Sequence, residues 1–205
     1  MLMRAPLMTS SQSKAALFGE TNRWGKLPLT VYPAAYASEL TIQDMAMRAN
    51  ASTGYPGRGY RYYTGQALFE FGEGLSYTSF STNCSGGETG VNVTAATINC
   101  TVTNTGDRAG DEVVLLFHRP PATARHQPQR PIRRLLDFTR VSLRANQSVG
   151  VSFVVDAVAL ALPSEAAAEV NNATVYPGNH LLEISSGGGG QQQQQQQQNT
   201  IVWAL

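Results

Sequence analysis

Thr97-Ile98-Asn99-Cys100-Thr101-Val102-Thr103 is the stretch from which the fold is read. Ile98, Cys100 and Val102 fall on one side of a period-two alternation; Thr97, Asn99, Thr101 and Thr103 fall on the other. A strand turns successive side chains to opposite faces, so this is a half-buried strand with Cys100 inward and Asn99 outward. Asn104-Thr105-Gly106-Asp107 follows as a turn. Asp111 to Arg119 carries Val113, Val114, Leu115, Leu116 and Phe117 without a break, the pattern of a strand covered on much of both faces. Leu135 to Leu143 reads as a third strand, and the strict alternation of Val149, Val151, Phe153 and Val155 as a fourth. Tyr176-Pro177-Gly178-Asn179 places Pro and Gly at the centre of a type II turn, and His180 to Ser185 follows as a last strand. Short strands punctuated by Gly and Pro predict an immunoglobulin-like β-sandwich over residues 76–186.

The flanking segments differ. Residues 1–33 end in Gly25-Lys26-Leu27-Pro28-Leu29-Thr30-Val31-Tyr32-Pro33. Leu27, Leu29 and Val31 alternate as a short strand, which Pro28 and Pro33 confine to an edge. Residues 34–75 hold two turn-rich stretches, Tyr55-Pro56-Gly57-Arg58-Gly59 and Phe71-Gly72-Glu73-Gly74. Tyr55, Tyr60, Tyr62, Tyr63, Phe69 and Phe71 are too heavy an aromatic load for a disordered linker. An ordered connector that packs a joint between domains is expected, with stacking on sugar rings as the alternative. Residues 187–205 read as a low-complexity tail: four glycines, then Gln191 to Gln198.

Lys and Arg number 15, Asp and Glu 14, for a net charge of +1 and a charged fraction of 14%, against about 25% in an average soluble protein. A nucleic-acid binder shows a basic face, so that class is excluded. No apolar run approaches the ~20 residues that span a bilayer. Six N-x-[Ser/Thr] sequons, at Asn50, Asn83, Asn92, Asn99, Asn146 and Asn172, favour passage through the secretory pathway. Met1 to Glu20 has no apolar core of a signal peptide, so none is expected in this chain. Two cysteines, Cys84 and Cys100, suggest a single disulfide in a secreted chain; two buried thiols are the other reading.

The candidate chemistry is sparse. Glu70 with Glu73, and Asp111 with Glu112, are carboxylate pairs. A retaining glycosidase needs two carboxyls about 5–5.5 Å apart across one bond. Adjacent residues on a strand face opposite ways, so Asp111 and Glu112 cannot serve one sugar; solvated strand-edge charges are expected. His118, His126 and His180 show no ligand spacing and read as surface histidines, and two cysteines without a histidine pair make no zinc site. Arg125, Arg130, Arg133 and Arg134 read as a solvated loop. No catalytic, metal or cofactor-binding residue is assigned.

Several of these stretches together resemble glycoside hydrolase family 3, in its plant β-xylosidase and α-L-arabinofuranosidase branch. Leu17-Phe18-Gly19, Asn22 and Gly25 to Pro33 are similar to the end of that family's α/β sandwich domain. Met45-Ala46-Met47-Arg48, Thr53 to Arg58 and Tyr60 to Gly65 resemble the branch's connector. Phe71-Gly72-Glu73-Gly74-Leu75-Ser76-Tyr77-Thr78-Ser79-Phe80 is the most specific match. Asn104 to Asp107, Gly110-Asp111, Val113 to Phe117, Phe138, Arg140 to Leu143 and Tyr176 to Asn179 resemble the closing fibronectin type III-like module. Arg23 and Trp24 stand where the family has Pro-Gly, and the Gly/Gln tail has no counterpart.

The resemblance implies an α/β-domain remnant at 1–33, a connector at 34–75 and a fibronectin type III-like domain at 76–186. The family's aspartate nucleophile and glutamate acid/base lie on domains upstream of any position matched here, so no catalytic residue is carried over. The expectation is the C-terminal accessory portion of a secreted, cell-wall glycosidase of xylan and arabinan breakdown, inactive alone, with the upstream catalytic domains as its partner. The alternative is a free-standing sandwich that binds cell-wall polysaccharide or protein. An exposed aromatic strip on the sandwich would favour the alternative; an apolar face along residues 16–80 would favour the first reading.

Overall fold

The computed structural model describes residues 10–39, 45–86, 95–126, 130–163, 173–185 and 200–204. The sequons at Asn92 and Asn172 lie outside these residues. Two antiparallel sheets face each other. One holds β1 (Phe80–Gly86), β2 (Ala95–Asn104) and β5 (Ser148–Asp156) in the order β1-β2-β5. The other holds β3 (Gly110–Arg119), β4 (Arg134–Leu143), β8 (Asn179–Ser185) and β9 (Thr200–Ala204) in the order β4-β3-β8-β9. A two-residue pair, β6 (Leu162–Pro163) with β7 (Ala173–Thr174), lies at the rim.

The core is the set of inward residues the alternation predicts. β2 buries every second residue: Ala96, Ile98, Cys100 and Val102 are covered while Thr97, Asn99 and Thr101 face out. Phe80, Phe153 and Val155 join them from the same sheet, and Val114, Leu116, Leu143, Leu182, Ile184 and Trp203 from the facing one, in one continuous cluster. Burying such side chains contributes about 1.5–3 kcal/mol each. β3 is covered on both faces for a specific reason. Val114 and Leu116 enter the sandwich core. Leu115 and Phe117 are covered by the connector, where Gly72, Phe71 and Tyr60 lie against them.

Two expectations are corrected here. Leu27 to Val31 forms no regular strand. It makes a broken antiparallel pairing with 68–73, through Leu27 N–H to Glu73 O, Gly72 N–H to Leu27 O, and the Val31–Phe69 bridge. Pro28 lacks a donor, and between the two contacts the ladder cannot close. The end of the supposed tail belongs to the sandwich: Thr200–Ala204 pairs with β8 from Asn179↔Ala204 to Glu183↔Thr200, and Trp203 is fully buried.

The Gly/Gln tract therefore lies in the connection of a β-hairpin. The entropy of closing a loop grows only as the logarithm of its length. Excising Gly187 to Gln198 leaves four residues between the paired Glu183 and Thr200. The expected outcome is unfolding free energy unchanged or raised by about 1 kcal/mol. Urea titration of the excised chain checks this; a loss of cooperativity would overturn it.

Candidate functional site

The chemistry-bearing residues converge where the connector meets the sandwich. Asn22, buried, ties three segments together. Its Nδ2 donates to Ser76 Oγ at 3.0 Å and to Ala109 O at 3.3 Å, its Oδ1 accepts from Tyr77 N–H at 3.1 Å, and its carbonyl accepts from Asp111 N–H. An amide can both donate twice and accept, which a residue joining three backbone strands requires.

Asp111 and Glu112 are buried and ion-paired, which corrects the expectation of solvated charges. Asp111 accepts from Ser142 Oγ at 2.7 Å, from Arg140 Nη2 at 2.7 Å and from Arg23 Nε at 3.4 Å. Burial pushes this carboxyl up, but the Ser142 hydroxyl and the Arg140 and Arg23 guanidiniums together hold it below its usual range. Lys26 Nζ lies 3.1 Å from Glu112 Oε1, with both side chains almost wholly covered. Arg23, which replaces the resembled family's proline, thus gains a carboxylate partner, and Arg140 also donates to the carbonyls of Arg23 and Trp24. Lone buried charges are costly; paired ones fix the geometry of the elements that carry them. Arg23, Lys26 and Asn22 lock the N-terminal segment to β3.

Beside this lock stands an aromatic cluster. Tyr60 stacks on Phe71 at 4.3 Å, and both meet the edge of Phe117. Arg133 lies over the Phe117 ring at 4.8 Å and donates to Glu70 Oε2 at 3.0 Å. Arg134 lies at the start of β4 and donates to the carbonyls of Ala159 and Ala161. Arg133 and Arg134 are thus structural, not the solvated loop expected of them. Gly72 sits at φ +84°, and a Cβ there would come within 2.6 Å of Leu115 Cδ1, so the turn needs glycine on both counts. A pocket of about 210 Å³ opens among Tyr60, Tyr63, Phe71, Glu70 and Arg133. Next to Lys26 of the lock, Trp24, Leu27, Val31, Phe69, Leu75 and Tyr77 line a groove of about 930 Å³. Leu75 is 80% exposed, and Leu17, Phe18, Leu29 and Leu68 nearby are also exposed. Apolar exposure of this extent marks an interaction surface.

The histidines correct the sequence reading most sharply. His118 and His180 are both buried, with His118 Nε2 and His180 Nδ1 2.8 Å apart and the rings stacked. His180 Nε2 lies 2.8 Å from the Tyr176 carbonyl, which can only accept. That bond assigns the His180 proton to Nε2, leaves its Nδ1 bare, and makes His118 Nε2–H the donor. Burial holds His118 far below the imidazole range, at about 3, and also lowers His180. Both are neutral near neutrality. The signal was in the sequence: His118 continues a run covered on both faces.

No group of three or more His, Cys, Asp or Glu side chains suited to a metal occurs among the described residues. Cys84 and Cys100 face each other across β1 and β2 and are bonded. Asn50, Asn83, Asn99 and Asn146 are all exposed; Asn146 sits at φ 60° in the β4–β5 turn, a conformation asparagine adopts readily.

The architecture defines a fibronectin type III-like sandwich locked to an aromatic connector. Residues 112–186 match the family "Fibronectin type III-like domain". The chain is 33% identical over 195 residues to "Beta-xylosidase/alpha-L-arabinofuranosidase 2" of Medicago sativa, an alignment covering 82% of this chain and 24% of that protein. It is 30% identical over 187 residues to "Probable beta-D-xylosidase 6" of Arabidopsis thaliana, covering 74% of this chain and 23% of that protein. Among solved structures, a glycoside hydrolase family 3 exo-β-xylosidase in complex with a xylobiose aziridine activity-based probe superposes with a TM-score of 0.75 at 25% identity, over 95% of this chain and 26% of that one. The chain spans about a quarter of the length of the curated relatives it matches. Its similarity is thus to glycoside hydrolase family 3 enzymes of the β-xylosidase and α-L-arabinofuranosidase type, over that quarter of their length.

Proposed function

We propose that this chain is the C-terminal accessory portion of a secreted glycosidase of the β-xylosidase/α-L-arabinofuranosidase type, acting in xylan and arabinan breakdown and without turnover of its own. The observation that carries this is the groove of Trp24, Leu27, Val31, Phe69, Leu75 and Tyr77. It lies between the N-terminal segment and the connector, beside the buried Lys26–Glu112 pair and the half-exposed Arg140 on buried Asp111 that fix that segment to the sandwich. A rigid apolar surface so placed suits the upstream catalytic domains as its partner. Sugar stacking has less support. Tyr60 and Phe71 are engaged with Phe117, and Tyr32, Tyr36 and Tyr63 pack on one another. Among the described residues of the sandwich, Phe138 is the one largely exposed aromatic, so the strip that a free-standing polysaccharide binder would need is not seen there.

The test is turnover. Purified 205-residue chain incubated with nitrophenyl β-xyloside and nitrophenyl α-L-arabinofuranoside is expected to release no nitrophenol above buffer. Turnover that co-purifies with the chain and saturates with substrate would overturn the accessory reading.

A further inference from the structure

Two of the sequons occupy neighbouring strands, and each has a cysteine as its middle residue: Asn83-Cys84-Ser85 on β1 and Asn99-Cys100-Thr101 on β2. The register sets Cys84 opposite Cys100, Asn83 opposite Thr101 and Ser85 opposite Asn99. The pleat turns the bonded cysteines toward the core side and leaves Asn83, Ser85, Asn99 and Thr101 exposed on the outward face. Both acceptor amides and both hydroxyls therefore share one patch. Gly150 of β5 lies opposite Thr101, and a Cβ there would meet nothing within 4 Å. A hollow of about 310 Å³ opens over it, lined by Asn83, Asn99, Thr101 and Ser152. It has the polar lining that a first sugar residue requires.

The folded sheet, however, closes the path by which that sugar would be added. A transferase must enclose the acceptor amide together with the hydroxyl two residues on, which requires the strand to leave its ladder. β2 is the central strand, paired to β1 on one side and β5 on the other. Ser152 Oγ also donates to Asn99 Oδ1 at 2.7 Å. β1 is paired on one side only within this sheet. The Cys84–Cys100 bond pins the two sequons to each other at their centres.

We propose that Asn83 and Asn99 are glycan acceptors gated by the Cys84–Cys100 bond, modified only while the two thiols are open, with Asn99 the more strictly gated. In glycan transfer the amide Nδ2 bonds to the anomeric carbon of a polyprenyl-diphosphate-linked oligosaccharide. The carbon–oxygen bond to the diphosphate breaks, and the amide proton leaves with the diphosphate or a base. In the competing step the two thiols lose two protons and two electrons to a disulfide donor, which becomes a dithiol. The order of these reactions decides whether the outward face of the three-stranded sheet carries sugar. The proposal rests on the secretory reading above.

Single cysteine variants isolate the gate. Cys84→Ser abolishes the bond and leaves Asn99-Cys100-Thr101 unaltered; Cys100→Ser leaves Asn83-Cys84-Ser85 unaltered. The full chain is expressed behind a cleavable secretion leader in eukaryotic cells. Occupancy at each site is read by mass spectrometry after peptide N-glycosidase treatment in heavy-oxygen water. Asn99 occupancy is expected to rise severalfold in Cys84→Ser, and Asn83 occupancy to rise by a smaller factor in Cys100→Ser. Equal Asn99 occupancy with and without the bond would overturn the gate. So would an equal rise in Leu116→Ala, which loosens the core without touching the bond. The secretory reading fails separately, if protein from its native source carries no glycan at Asn50 or Asn146.

Discussion

Replacing Trp203 with alanine is expected to lower the unfolding free energy by about 3–5 kcal/mol, the range for deleting a large core aromatic. Trp203 is fully buried within the cluster shared by both sheets, and it stands opposite His180 on β8. It is one of five residues of β9, Thr200–Ala204, so the indole is the main apolar anchor of that strand. Domains of this size are stable by about 5–15 kcal/mol, so the loss removes a large share of the total. Trp203→Phe is expected to retain most of the stability. It keeps a large aromatic ring and removes an indole N–H that has no partner among the described residues. Urea titrations of the three proteins check this. A Trp203→Ala chain within about 1 kcal/mol of the parent would show that β9 is not an integral strand, since cores feel the loss of even one methylene.

That strand shows where sequence reasoning stops. Ile201-Val202-Trp203 is apolar, but it follows a low-complexity tract, and nothing local says that a chain returns to the core after it. The sandwich strands themselves were legible because burial imposes a period of two, and Ile98, Cys100, Val102, Phe153 and Val155 obey it. The site was legible only in part. Asn22 and Gly72 stood within recognisable stretches, but the partner of Asp111 includes Arg23, 88 residues away, and charge alone does not say whether a carboxylate is solvated or clamped. The same holds for His118 and His180, whose pairing needs the β3–β8 register, and for Leu27 to Val31, where alternation suggested a strand that Pro28 prevents from closing.

Acid is expected to weaken the fold through the His118–His180 pair at a higher pH than through Asp111. An unfolded imidazole takes up its proton near pH 6.5, whereas His118 in the fold resists protonation down to about 3. Its folded value is depressed, so the stability it contributes is present above about pH 6.5 and is lost progressively as pH falls below that. Between pH 7 and pH 5, His118 alone is expected to lower the unfolding free energy by about 2 kcal/mol. The geometry explains the resistance. His118 Nδ1 is the one bare nitrogen left by the Tyr176–His180–His118 chain of hydrogen bonds, it has no partner among the described residues, and a proton placed there would be buried beside the Arg134 guanidinium. Arg119 and Glu183, the charged neighbours of the pair on β3 and β8, are ion-paired to each other at 2.8 Å, while Asp111 and Glu112 at the far end of β3 pair with Arg140 and Lys26. Asp111 acts in a different window: its lowered carboxyl contributes stability above about pH 3.9 that is lost only as pH falls toward its folded value. Asp111 therefore adds nothing to a slope between pH 7 and pH 5, where His118 does. His118→Leu removes one of the two and is expected to flatten the slope by about 1 kcal/mol per pH unit averaged over this interval, whatever its effect on absolute stability. Urea midpoints measured at half-unit pH intervals, parent against variant, give this difference; parallel curves would place the acid sensitivity elsewhere in the fold.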